Sequence, residues 1–83
     1  MSLIESLTEA QVAINRKDAL VGFATAEIVS YIMEDEGLDV EEAFARFYQT
    51  KLSTKLEDYD TGYYLESSAY LYEIYQEEQR PGQ

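Results

Sequence analysis

The sequence predicts an all-α fold, a small single-domain bundle of four to five short helices. Three observations carry that prediction. Apolar residues recur at three- and four-residue spacings through most of the chain. Helix-start signals recur ahead of those runs, at Ser2 with Glu5, at Asp18 and at Asp39 with Glu42. The four glycines stand alone, at 22, 37, 62 and 82, and the one proline is Pro81.

Ser2 and Glu5 match a capping box, and Leu3, Ile4, Leu7, Ala10 and Ile14 follow at near-helical spacing. This predicts a short first helix over about 3–14, so that residues 1–17 form an N-terminal arm or short helix. Asn15–Asp18 is read as a joint with Asp18 as the next N-cap; one bent helix running through it is the alternative. Residues 19–36 form the central helix, with Leu20, Val21, Phe23, Ala24, Ile28, Val29, Tyr31, Ile32 and Met33 covering most of its circumference. Glu27, Ser30 and Glu34 are its only polar stripe, which predicts packing on several sides. Gly22, Ala26 and Ser30 recur every four residues and leave a shallow groove. Gly37 supplies the C′ stop.

Asp39 and Glu42 begin the cleanest amphipathic run, Val40, Ala43, Phe44, Phe47 and Tyr48, with Glu42 and Arg46 as an i,i+4 ion pair. Leu52 and Leu56 continue the apolar row in a short helix capped by Ser53. Asp60-Thr61-Gly62 is a turn, and Tyr63–Glu66 an irregular link or lone strand. Ser67 or Ser68 caps the last helix, which runs to about Gln79 with Leu71, Ile74, Tyr75 and Glu78 inward. Residues 80–83 form a disordered tail. Phe23, Ile28, Ile32, Phe44, Phe47, Leu52, Leu56, Leu71 and Ile74 are the expected core.

Eight tyrosines stand in 83 residues without histidine, cysteine or tryptophan. Disulfides and His- or Cys-ligated zinc are thereby excluded. A chain this short buries only roughly 60–65% of its unfolded surface, so a permanent partner or a homo-oligomer is expected. The apolar fraction of 46% argues for a folded domain despite a net charge of −11. Glu34, Asp35, Glu36, Asp39, Glu41 and Glu42 crowd nine residues, whereas Arg46, Lys51 and Lys55 form a lone basic stretch. Direct nucleic-acid binding and docking on an anionic membrane both need clustered cations, which are lacking. The start has no basic n-region, and no apolar run reaches membrane-spanning length, so a cytoplasmic chain is expected.

Asp58-Tyr59-Asp60-Thr61-Gly62 resembles a calcium loop only in part: its glycine comes one residue early and position twelve is Ala69. It is read as an Asp-rich turn. Glu27 has no second positioned group for acid–base work. No enzyme activity, cofactor or metal is therefore expected. The acidic patch is either solvated surface or a docking site for a basic partner. Glu34–Glu36 crowd a helix C-terminus, where negative charge is unfavourable, which points to a use for the patch. Tyr70 and Tyr72 lie about 160° apart on a helix, so one tyrosine of the last helix is exposed unless a partner covers it. Glu34, Asp35, Glu36, Tyr70, Tyr72, Glu73 and Glu77 are the candidate partner-binding residues.

Gly37-Leu38-Asp39-Val40-Glu41-Glu42-Ala43-Phe44 and Tyr70-Leu71-Tyr72-Glu73-Ile74-Tyr75 give the chain a pattern that resembles a family of short, mostly helical bacterial domains of unknown function, often encoded near toxin-like genes. The resemblance covers about residues 19–78. It implies an accessory or antitoxin-like protein and assigns no functional residue. The expected function is an acidic protein-interaction module. The alternatives are a nucleic-acid mimic that blocks a DNA- or RNA-binding protein, and a structural homo-oligomer.

Overall fold

A computed structural model describes residues 9–81 as four α-helices and two 3₁₀ turns, with no strand among the described residues. The helices are α1 (Glu9–Glu36), α2 (Val40–Tyr48), α3 (Lys51–Glu57) and α4 (Ser68–Glu78). The single-domain, all-α prediction holds. The Ser2–Glu5 capping box and the start of the first predicted helix lie outside the described residues, as do the last two residues of the predicted tail.

The predicted joint at Asn15–Asp18 is absent. Helix α1 runs through it for 28 residues, about 42 Å at 1.5 Å per residue. Asp18 is therefore a mid-helix residue and not a cap. No glycine or proline interrupts residues 15–18, so the polar run alone does not stop the helix. Lys17 also holds the segment from outside: its ammonium lies 5.4 Å from the Tyr59 ring centre and 5.9 Å from that of Tyr64.

Gly37 ends α1 in the left-handed region at φ 67°, a conformation that costs glycine nothing and other residues strain. Asp39 then caps α2, its Oδ1 accepting the Glu42 N–H at 2.9 Å. Arg46 does not make its close ion pair with Glu42. It reaches Glu36 at the end of α1, at 2.7 Å, where it also answers the unfavourable charge at that terminus.

Thr50, not Ser53, caps α3. Its hydroxyl accepts the Ser53 N–H at 3.1 Å and donates to the Phe47 carbonyl at 2.6 Å. Ser53 is buried inside the helix, where its hydroxyl donates to the Thr50 carbonyl. Glu78 of α4 completes the cap from a distance, accepting the N–H groups of Lys51 and Leu52 at 3.0 and 2.9 Å. The segment predicted as a link or lone strand is instead the 3₁₀ turn Tyr63–Leu65, preceded by the 3₁₀ turn Tyr59–Thr61. Gly62 joins them at φ 72°, and Ser67 caps α4 by accepting the Tyr70 N–H.

The core lies between α1 and a cover made of α2, α3 and α4. Ala24, Ile28, Val29 and Ile32 of α1 meet Ala43, Phe47, Leu52, Leu56, Leu71 and Tyr75. Three expected core residues fall elsewhere. Phe23 is 63% exposed, because it sits about 140° around the helix from Ile28 and points away from the cover. Phe44 and Ile74 pack at the core margin and are half-buried. Tyr75 fills the central volume in their place.

Candidate functional site

The acidic end of α1 faces the tyrosines of α4. Tyr72 donates its hydroxyl proton to Asp35 Oδ2 at 2.6 Å, and Tyr75 donates to Glu36 Oε2 at 2.6 Å. The ring centres of Tyr72 and Tyr75 lie 5.6 Å apart in a stacked pair, and Tyr31 of α1 lies 5.0 Å from Tyr72 on its other side. Tyr31 in turn donates to Glu27 at 3.3 Å. Three tyrosines thus form a ladder along the α1–α4 seam, each with a carboxylate of α1 at its hydroxyl.

This arrangement resolves the charge conflict at the end of α1. Asp35 and Glu36 act as hydrogen-bond acceptors for α4, and Arg46 balances Glu36. Burial, then the hydrogen bond to Asp35 and the charges of Asp35 and Glu36, raise the Tyr72 pKa well above the ordinary tyrosine value. Burial and the Glu36 carboxylate do the same to Tyr75, opposed by Arg46. Tyr31 shifts upward by burial first and Glu27 second. At the α2 cap Asp39, first through a side-chain hydrogen bond and then through its charge, holds the Glu42 carboxyl above its usual range, opposed by Arg46.

The seven predicted partner-binding residues therefore fall into two groups. Asp35, Glu36 and Tyr72 come together in the ladder, with Glu34 exposed beside them. Tyr70, Glu73 and Glu77 share the outer face of α4, where all three are exposed. The expectation that one α4 tyrosine faces solvent is met by Tyr70, at 49% exposure.

Of the open surfaces along α1, those next to the aromatic side chains carry the most chemistry. The first is a groove of about 500 Å³ with Val21, Gly22, Thr25 and Ala26 along its floor. Phe44, Tyr48 and Tyr59 wall it, and Asp18 and Glu57 supply carboxylates. The Phe44 and Tyr48 rings stack with centres 5.9 Å apart. The second is an apolar face at Leu20, Phe23 and Leu65, the last 69% exposed, running into a smaller groove of about 360 Å³ beside Tyr64. Gly22 and Ala26 of the predicted small-residue stripe line the first, whereas Ser30 lies outside it. The second is hidden from sequence, because Phe23 reads as core until the direction of the cover is known. The angle between Phe23 and the Ala24–Ile28–Ile32 row is the signal that separates them.

Among the described residues no buried side-chain nitrogen or oxygen lacks a partner, and no three carboxylates converge where a metal ion could sit. Asp58, within the segment that resembles a calcium loop, caps the 3₁₀ turn by accepting the Asp60 N–H at 3.0 Å. Among the described residues no helix is long and apolar enough to cross a membrane. Comparison with protein-family models, curated proteins and solved structures returns no match to this chain.

Proposed function

We propose that this chain is a protein-interaction module whose groove over Gly22 receives a partner segment carrying a basic residue beside an apolar one. The observation that carries the reading is Gly22 itself. A glycine inside a helix costs about 1 kcal/mol relative to alanine. Among the described residues no packing contact requires it, since an added Cβ would meet no atom within 4 Å. The missing side chain instead keeps the groove floor low between two aromatic walls.

The chemistry of the walls defines the guest. Phe44 and Tyr48 offer stacked ring faces for an aliphatic or guanidinium group. Asp18 and Glu57 stand where a Lys or Arg head would emerge. The net charge of −11 steers a basic partner toward the module. In its specific form the proposal is a cytoplasmic accessory or antitoxin-like subunit, without catalytic activity of its own, that covers a basic apolar segment of a larger protein.

Selection from a displayed random-peptide library tests this directly. The expected ligands pair Lys or Arg with Leu, Ile or Met. Gly22→Leu, which fills the groove while raising helix propensity, weakens them at least about tenfold, or 1.4 kcal/mol, with no loss of melting temperature. Ligands that bind the Gly22→Leu protein as well as the native one would place the contact elsewhere and end this reading.

A further inference from the structure

We infer that the outward face of α1 that carries Leu20 and Phe23 pairs with the same face of a second copy, antiparallel, about a twofold axis between Leu20 and Phe23. The inference is independent of the groove over Gly22, which lies on another side of the helix.

Helix α1 is apolar on two sides. One carries Ala24, Ile28 and Ile32 into the core. The other exposes Leu20 and Phe23, and Leu65 stands beside them. Large apolar side chains grouped on the surface of so small a domain mark a contact site. The order of residues along that side identifies its occupant. Ala13, Arg16, Leu20, Phe23, Glu27 and Ser30 recur at alternating spacings of three and four, the seam of a two-stranded coil.

The seam is complementary to its own reverse. An antiparallel partner centred between Leu20 and Phe23 sets each Leu20 across from the partner's Phe23. It sets Arg16 across from the partner's Glu27, and Ala13 across from the partner's Ser30. The twofold repeats each contact, as an isologous interface requires. Two apolar layers are thus bracketed by two ion pairs, and small residues follow where the helices must approach.

Neither charged residue is held in an ion pair among the described residues. Arg16 is exposed and has no hydrogen-bond or ion-pair partner among the described residues. Glu27 is partly buried and, among the described residues, is held only by the 3.3 Å bond from Tyr31. One step further out, Glu9 would face the partner's Glu34. That layer opposes pairing, and it lies at the end of the seam, where both side chains are exposed and salt screens them. The parallel arrangement sets Arg16 against Arg16 and Glu27 against Glu27, so charge selects the antiparallel one.

Sedimentation equilibrium on the full chain tests the pairing. Native protein is expected at twice the 9.5 kDa chain mass. Phe23→Asp should return the monomer mass with an unchanged helical circular dichroism spectrum, since the ring contributes little to the core. Arg16→Glu should weaken the dimer about tenfold or more, as loss of paired interfacial charge does. Arg16→Glu combined with Glu27→Arg restores the complementarity at the same net charge and should bring back native affinity. A native protein that is monomeric at roughly millimolar concentration, where even a weak dimer forms, assigns the face to a different protein and overturns the proposal. A dimer indifferent to Phe23→Asp overturns it as well, and so does a double swap that fails to restore what the single swap removed.

Discussion

Phe44 and Phe47 stand three residues apart on α2 and differ in what surrounds them. Phe47 is fully buried among α1, α3 and α4 residues, whereas Phe44 sits at the core margin with one ring face on Tyr48. Phe47→Ala is therefore expected to cost about 3–5 kcal/mol, enough to unfold a domain of this size. Phe44→Ala should cost about 1–2 kcal/mol, the transfer energy of a half-buried ring. Urea denaturation of the two variants measures the difference, and equal losses would mean that Phe44 is a core residue after all. Six of the nine expected core residues are legible in the sequence because each lies on an apolar row of its own helix. Phe23 is not, since a helix apolar on two sides offers no local sign of which side is covered. The tyrosines are ambiguous for a related reason. Tyr75 takes a core position and Tyr70 an exposed one, and residue type does not distinguish them.

At the scale of elements, the glycine-marked turns and two of the helix starts are legible. Gly37 and Gly62 both occupy the positive-φ positions that favour glycine, and the Asp39 cap follows from its spacing to Glu42. The start of α3 is not legible, because half of its cap arrives from 27 residues away. Glu78 accepts two N–H groups there, and its carboxylate also faces the positive end of the helix dipole. Glu78→Ala is expected to cost about 1–2 kcal/mol, the value of a lost N-cap. Glu78→Gln should recover part of it, since an amide oxygen accepts only one of the two bonds well. Thermal melting distinguishes the two, and an unchanged melting temperature in Glu78→Ala would show that water replaces the carboxylate at no cost. On α1 the reverse error arises: Asn15–Asp18 carries the composition of a joint but lies within a continuous helix. Contacts from Lys17 to the tyrosine turns, invisible to local periodicity, accompany its continuity.

At the scale of the whole molecule, the tyrosine ladder joins the two ends of the chain's helical order, and it does so through protons. In the folded state Tyr72 and Tyr75 hold theirs more tightly than free tyrosines, whose ordinary pKa is 10.0. Below that value both folded and unfolded chains are protonated at these positions, and the hydrogen bonds to Asp35 and Glu36 contribute fully. As pH rises past about 10 the unfolded chain releases its protons while the folded chain keeps them. The unfolded state gains from that release, and the contribution is lost progressively as pH climbs toward the raised folded-state values. The urea midpoint is therefore expected to stay level between about pH 7 and 9 and to fall steeply above about 10. Lysines titrate in the same range, so the comparison that isolates the ladder is Tyr72→Phe with Tyr75→Phe. These variants keep the stacked rings and remove both protons. At neutral pH each should lose about 1 kcal/mol, the net value of one hydrogen bond, and the double variant should show a shallower alkaline fall than the native protein. An equal fall in both would assign the alkaline sensitivity to the lysines or to general repulsion in a chain of net charge −11. The acidic end of α1 would then be an electrostatic burden on the fold, and its hydrogen bonds to α4 would contribute little to holding the helices together.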